Sequence, residues 1–187
     1  MAATKSRDRE TLLLNLVNAL ADQPRASMGQ LASIVGISRA TLCRHFPSRD
    51  AMMLAMSEAG ITSAEQALAR ARPNEGNSQH AIKRLIEELL PIAELYAYVD
   101  HQMRADEAVE ARVQPLRTSL IALFQKWQES GELRVDLPAA WLVESMSALL
   151  RSAATMIRSG RLARRDAAQS VFDLLWQGMS KDKTQPS

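Results

Sequence analysis

Apolar residues recur at intervals of three and four along most of the chain, and turn-forming residues separate these stretches. The first stretch carries Leu13, Leu16, Val17 and Leu20. The same spacing predicts further helices over residues 51–72, 77–91, 94–102, 106–130, 139–159 and 164–180. Runs of β-branched residues are short, and Ala and Leu dominate, which favours helices over strands. The pattern therefore predicts an all-α protein, with a break or a kink at Pro115.

Residues 27–50 predict two short helices joined by a tight turn. Ser27 and Ser38 are favourable N-cap residues, and Gly36 between them can adopt the positive φ that such a turn needs. Pro47, directly after Phe46, ends the second helix. Two short helices arranged in this way form a helix-turn-helix.

The second of these helices is predicted to have one apolar and one polar side. Leu42 and Phe46 are four residues apart and would dock the helix on its neighbours. The outward positions carry small or basic side chains, namely Ser38, Arg39, Ala40, Cys43, Arg44 and, at the end, His45. Such a side suits the groove of a nucleic acid better than a protein core.

The segment LASIVGISRATLCRHFPSRDAMM resembles the helix-turn-helix and the following connecting helix of the TetR (tetracycline-repressor-like) family of bacterial transcriptional regulators. The matching positions are Leu31, Ala32, Gly36, Ser38, Thr41, Leu42, His45, Phe46 and Ser48. Two positions depart from the family pattern. Cys43 stands in place of a tyrosine that touches a phosphate, and it cannot replace a phenol. Arg49 stands in place of a lysine, so the charge is kept with a different geometry.

The resemblance implies an N-terminal three-helix DNA-binding domain over residues 1–50 and a C-terminal helical ligand-binding and dimerisation domain over residues 51–187. It also implies a homodimeric repressor that a small-molecule effector releases from a palindromic double-stranded DNA operator, with control of an efflux transporter as a further expectation. Arg39, Ala40 and Arg44 would face the major groove. The residues expected mainly at phosphates are Ser27, Thr41, His45 and Arg49. The full set expected at DNA is Ser27, Ser38, Arg39, Ala40, Thr41, Cys43, Arg44, His45 and Arg49.

The charge distribution agrees with a DNA partner. The whole chain has a net charge of only +2, but residues 1–50 hold seven Lys and Arg against four Asp and Glu. Residues 51–187 hold sixteen against seventeen. The basic excess therefore lies in the part that carries the helix-turn-helix, as phosphate binding requires.

The last two predicted helices are apolar on more than one side, which fits either one wide intramolecular core or a four-helix interface between two copies. The resemblance favours the interface. The residues expected there are Leu142, Met146, Leu149, Leu150, Ala153, Ile157, Val171, Phe172, Leu175, Trp176 and Met179.

An effector pocket is implied between the long helices, although each candidate residue also fits an ordinary core. The candidates are Tyr98, Met103, Phe124, Trp127, Trp141 and Met146. Residues 80–112 hold four basic against seven acidic side chains. Together with nearby aromatic rings, this favours a lipophilic cation as effector, unless the acidic residues only form a solvated face.

Composition limits the other function classes. The apolar runs fall short of the roughly 18 residues of a membrane span, so no membrane partner is expected. The segment LLLNLVNALA is interrupted by Asn15 and Asn18 and preceded by Asp8 and Glu10, unlike a secretory signal. A single cysteine excludes an internal disulfide. These features predict a cytoplasmic protein.

Three alternatives stay open at this point. Cys43, beside the positive charges of Arg44 and His45, would be oxidised in a redox-responsive regulator. A metal-dependent helical enzyme would use Asp100, His101, Asp106, Glu107 and Glu110, but their spacing matches no tight ligand pattern. A protein-interaction module would use the helix-turn-helix only as a scaffold. No cofactor, metal or catalytic residue is expected.

Overall fold

The structure of the protein is a computed structural model that describes residues 2–93 and 107–181, apart from the side chains of residues 2–8 and 10. The predicted all-α class is confirmed. Within these ranges the helices are α1 (Ala2–Asp22), α2 (Met28–Ile34), α3 (Arg39–His45), α4 (Arg49–Ala71), α5 (Ser78–Leu89), α6 (Glu107–Glu129), α7 (Ala139–Arg158) and α8 (Arg164–Met179). A 3₁₀ turn follows α5 at Leu90–Ile92. The helix expected over residues 94–102 lies outside the described residues.

Pro115 does not break α6. The helix continues from Glu107 to Glu129 with the proline inside it, so of the predicted break or kink the break is wrong. Pro115 lacks the N–H that would bond to the carbonyl one turn earlier. Val113 before it and Phe124 after it are both fully buried, and this burial outweighs the lost hydrogen bond.

Contacts divide the chain into two compact units, each with its own apolar core. The first contains residues 2–62 and 107–109, and the second contains residues 63–93 and 110–181. The division falls within α4, whereas the predicted domain boundary at residue 50 lies at the start of that helix. That boundary stays a prediction. No helix in the described ranges is both long enough and apolar enough to cross a membrane.

The core of the first unit joins the helix-turn-helix to its neighbours. Leu16 from α1, Leu31 from α2, Leu42 from α3 and Met52 from α4 are completely buried in one cluster. A helix of seven residues is unstable alone in water, because too few hydrogen bonds offset the cost of nucleation. The positions of α2 and α3 therefore depend on this shared burial.

The core of the second unit contains most of the residues expected at the dimer interface. Eight of those side chains are buried within the single chain, namely Leu142, Met146, Leu150, Ala153, Val171, Phe172, Leu175 and Met179. They belong to the intramolecular core of the single chain, and their part in an interface between two copies stays a prediction. Leu149, Ile157 and Trp176 are only partly buried against that core.

Charged side chains close helix ends in the second unit. Arg84 of α5 donates from Nε to the Ala71 carbonyl at 2.7 Å and from Nη2 to the Arg72 and Glu75 carbonyls at 3.0 and 2.5 Å. Glu132 accepts the Ser78 N–H at 2.7 Å, at the start of α5. This bond holds the pKa of the Glu132 carboxyl below its usual value. The end of α4 and the start of α5 are thereby fixed to neighbouring segments.

Candidate nucleic-acid interface

Local hydrogen bonds start both helices of the helix-turn-helix, as the sequence predicts. At α2, Ser27 Oγ accepts the Gln30 N–H at 3.3 Å, and Gln30 Oε1 accepts the Ser27 N–H at 2.8 Å. This reciprocal pair is a capping box. At α3, Ser38 Oγ accepts the Thr41 N–H at 3.0 Å. The two predicted N-caps are confirmed.

The turn between the helices depends on Gly36. Its φ is +75°, in the left-handed region that side chains with a Cβ rarely adopt. The turn is closed by the Ile37 N–H, which donates to the Ala32 carbonyl at 2.9 Å. Ala32 is almost completely buried, and its small side chain lets α2 and α3 approach closely. The angle between the two helices is therefore set by one backbone conformation and one small residue.

The surface of α3 divides as predicted into a buried and an exposed side. Leu42 and Phe46, the residue after the helix, are buried. Most residues expected at DNA are exposed or half-buried in and around α3: Ser27, Ser38, Arg39, Ala40, Arg44 and His45 are exposed, and Thr41 and Cys43 are half-buried. No carboxylate in the described part of the chain pairs with Arg39 or Arg44. Both guanidinium groups can therefore meet an anion without first breaking an ion pair.

Three of these polar groups are already used within the chain. The hydroxyls of Ser38 and Thr41 lie 2.9 Å apart and share a hydrogen bond. The guanidinium of Arg49 donates to the carbonyls of Ala26 and Pro24 at 2.5 and 3.0 Å. Arg49 is half-buried, unlike the exposed Arg39 and Arg44. The structure thus ties Arg49 to the turn between α1 and α2.

The structure adds two residues that sequence reasoning missed. Gln30 completes the capping box, and the Ser-x-x-Gln spacing could have identified it. The Arg9 guanidinium lies 5.8 Å from the centre of the Phe46 ring, within the range of a cation–π contact. The sequence gives no local signal for this pair, because the two residues are far apart along the chain.

The expected effector residues that the structure describes do not share one open site. Phe124 and Trp127 form a tilted ring pair in the second unit, with centroids 5.1 Å apart, and both are buried, as is Met146. Trp141 is 60% exposed, so it is not part of an enclosed pocket. Tyr98 and Met103 lie outside the described residues.

A groove in the second unit has a different lining from the expected pocket. Its volume is about 450 Å³, and it is lined by Leu68, Pro73, Asn74, Ser119, Leu120, Ala122, Leu123 and Lys126. None of the expected effector residues is among them.

The described residues contain no group of three His, Cys, Asp or Glu side chains placed to hold a metal ion. Of the residues considered for a metal-dependent enzyme, Asp100, His101 and Asp106 lie outside the described ranges, whereas Glu107 and Glu110 lie in the first turn of α6. The free thiol of Cys43 is half-buried on α3.

Comparison with known proteins gives two curated relatives. The HTH-type transcriptional regulator NfxB of Pseudomonas aeruginosa is 30% identical over 175 residues, which cover 91% of this chain and 94% of NfxB. The HTH-type transcriptional repressor LfrR of Mycolicibacterium smegmatis is 22% identical over 95% of this chain and 93% of LfrR. No family sequence model matches the chain.

A solved structure agrees with the fold along almost the whole chain. The TetR-like regulator LfrR in complex with proflavine superposes with a TM-score of 0.72, covering 95% of this chain and 99% of LfrR at 22% identity. The likeness extends well beyond the helix-turn-helix, so the helices of the second unit are part of the shared fold.

The two glycines of the helix-turn-helix provide a matched pair of substitutions. A Cβ at Gly36 would meet no atom within 4 Å, so the cost of Gly36→Ala comes only from its φ of +75°. We expect a loss of about 1–2 kcal/mol in the free energy of unfolding. In Gly29→Ala, the new methyl would meet Arg39 Cδ and Ser27 Oγ at 3.9 Å, an ordinary contact. This control, inside α2, should be neutral or stabilise by up to about 1 kcal/mol. Urea unfolding of both variants measures the difference, and equal effects would contradict the role of φ.

Proposed function

Because the chain belongs to the TetR family of transcriptional regulators, we propose that it is a homodimeric repressor that a small-molecule effector releases from a palindromic operator. The observation that carries the proposal is the exposed side of α3, where Arg39 and Arg44 face outward without an acidic partner in the described residues. Two copies of this helix, related by a two-fold axis, would read two half-sites. The proposal retains the expected cytoplasmic location.

The residues around α3 support two kinds of DNA contact. Arg39 or Arg44 would donate two hydrogen bonds to guanine in the major groove, and Ala40 would contact a thymine methyl. Ser27, Thr41 and His45 would contact phosphates. The cap at Ser27 uses its hydroxyl oxygen only as an acceptor, so the hydroxyl hydrogen is available to a phosphate oxygen.

Substitution of Arg44 tests the reading of bases. We expect Arg44→Ala to lose sequence preference at one base pair in each half-site, because a two-bond contact to guanine contributes about 1–3 kcal/mol of discrimination. The measurement is selection of preferred duplexes from a random library by wild type and variant. Arg161→Ala, an exposed arginine of the second unit, is the control and should select wild-type sequences. Unchanged selection by Arg44→Ala would exclude base reading by this residue.

The dimer proposal needs a surface other than the buried faces of α7 and α8. Trp141 on α7 and Leu174 on α8 are each 60% exposed, and burying such large apolar side chains against a partner is favourable. Ala148 and Ser152 are exposed on α7, seven and eleven residues after Trp141, and therefore lie on the same side of the helix. Small residues there allow close helix packing. These features support an interface on the outward faces of both helices.

Charge insertion on these faces tests the interface. We expect Trp141→Glu and Leu174→Glu each to weaken dimerisation by tenfold or more, which corresponds to about 1.4 kcal/mol. Leu54→Glu, also at an exposed leucine but on α4 in the first unit, is the matched control. Sedimentation equilibrium gives the dissociation constants, and circular dichroism checks the fold. A wild-type protein that is monomeric at tens of micromolar would refute the homodimer itself.

The effector is proposed to be a lipophilic cation, in connection with control of an efflux transporter. The relative LfrR was crystallised with proflavine, an aromatic cation. The chain offers the Phe124–Trp127 ring pair, and aromatic faces attract cations. A repressor released by such a compound would be suited to regulate its removal from the cell.

A ligand screen without DNA tests the effector class, since planar dyes also bind DNA directly. We expect proflavine and a lipophilic quaternary ammonium to raise the melting temperature of the wild-type protein by mass action. A carboxylate of similar size should have no effect. A rise with the carboxylate alone would contradict the proposed cation. Trp127→Ala should reduce the shift if the ring pair contributes to binding.

A further inference from the structure

We propose that Arg49 is a positioning residue. Its guanidinium holds the turn between α1 and α2 against the start of α4, and it thereby sets the place of the helix-turn-helix. It does not serve as a phosphate ligand. The consequence for DNA binding rests on the proposed function, whereas the contact within the chain does not.

The contact joins segments that are far apart in the sequence. Arg49 Nη1 donates to the carbonyl of Ala26 at 2.5 Å, and Nη2 donates to the carbonyl of Pro24 at 3.0 Å. Among the described residues, no backbone N–H outside the helices donates to either carbonyl. The two bonds place the first residue of α4 directly against the turn that precedes α2.

This turn sets where α2 begins. Ala26 is buried in the first core, and the next residue, Ser27, is the N-cap of α2. The turn is otherwise closed by the Gln23 N–H on the Ala19 carbonyl at 2.8 Å and the Ala26 N–H on the Gln23 carbonyl at 3.0 Å. Both of these bonds lie on the α1 side of Ser27. Arg49 therefore adds a direct hydrogen-bonded link from the start of α4 to the turn before α2, beside the apolar contacts of the shared core.

The electrostatics of the position favour the same interpretation. A positive charge at the first residue of a helix is unfavourable, because the N-terminal end of the helix dipole is also positive. Two carbonyl oxygens offset this repulsion for Arg49. A lysine would present one ammonium on a flexible stem and lacks the planar fork that reaches both oxygens. The geometry of arginine matters here, in addition to its charge.

The experiment separates geometry from charge with Arg49→Lys and Arg49→Gln. We expect both variants to increase amide exchange at Gln23, Ala26 and Ser27 by about tenfold, because each loses hydrogen bonds from a charged donor that hold the turn in place. Arg25→Lys, at an exposed position in the same turn, is the matched control and should leave exchange unchanged. Exchange in both Arg49 variants equal to wild type would overturn the proposal.

Binding to a random-sequence duplex, measured by fluorescence anisotropy at several salt concentrations, gives the second readout. We expect both variants to bind more weakly than wild type, with an unchanged salt dependence. A phosphate ligand would instead give wild-type binding by Arg49→Lys and a salt slope smaller by about one in Arg49→Gln. That result would overturn the proposal.

A stability control distinguishes positioning from general loss of stability. Leu12→Ala removes a partly buried side chain that packs against the same core. At temperatures where all variants are folded, it should retain DNA affinity while Arg49→Lys loses it. An equal loss in both variants would overturn the positioning role. If wild type itself fails to bind DNA, the proposed function fails, and amide exchange still decides whether the contact exists in solution.

Discussion

The position of the exposed side of α3 depends on a small apolar core, because neither α2 nor α3 is long enough to be stable alone. Leu31 and Leu42 hold the two short helices against Leu16 of α1 and Met52 of α4. Each fully buried leucine contributes about 1.5–3 kcal/mol, and no pair of seven-residue helices could supply this from backbone bonds. The exposed side of α3 can carry arginines because its other side, at Leu42, is buried in the core.

Arginine side chains tie both ends of the long helix α4 to neighbouring segments, each within its own unit. In the first unit, Arg49 of the first turn binds the carbonyls of Pro24 and Ala26. In the second, Arg84 of α5 binds three carbonyls at and after the last residue of α4. The carbonyls at the end of α4 lack intrahelical partners, and the Arg84 guanidinium satisfies several of them. Substitution of either arginine therefore affects backbone position as well as surface charge.

The features that the sequence predicted correctly are local ones. The caps at Ser27 and Ser38 and the turn at Gly36 depend on residues within a few positions of one another. The partners of Arg49 lie 23 and 25 residues away, so no local pattern could indicate them. The partner of the apolar faces of α7 and α8 is not a local feature either. Periodicity shows that a face is apolar, but it cannot show whether that face meets its own chain or another copy, and Leu142 and Val171 proved to be internal.

The close packing of the core of the second unit also limits where a cationic effector can bind. The open groove is an unsuitable site, because Lys126 is the charged residue of its lining and repels a cation. The Phe124–Trp127 pair is suitable chemically, but both rings are buried among core residues. A cation that uses this pair must bind a more open conformation. Its apparent affinity is then reduced by the fraction of molecules that are open. The same requirement gives the ligand a preference between two conformations, and only such a preference can change affinity for DNA.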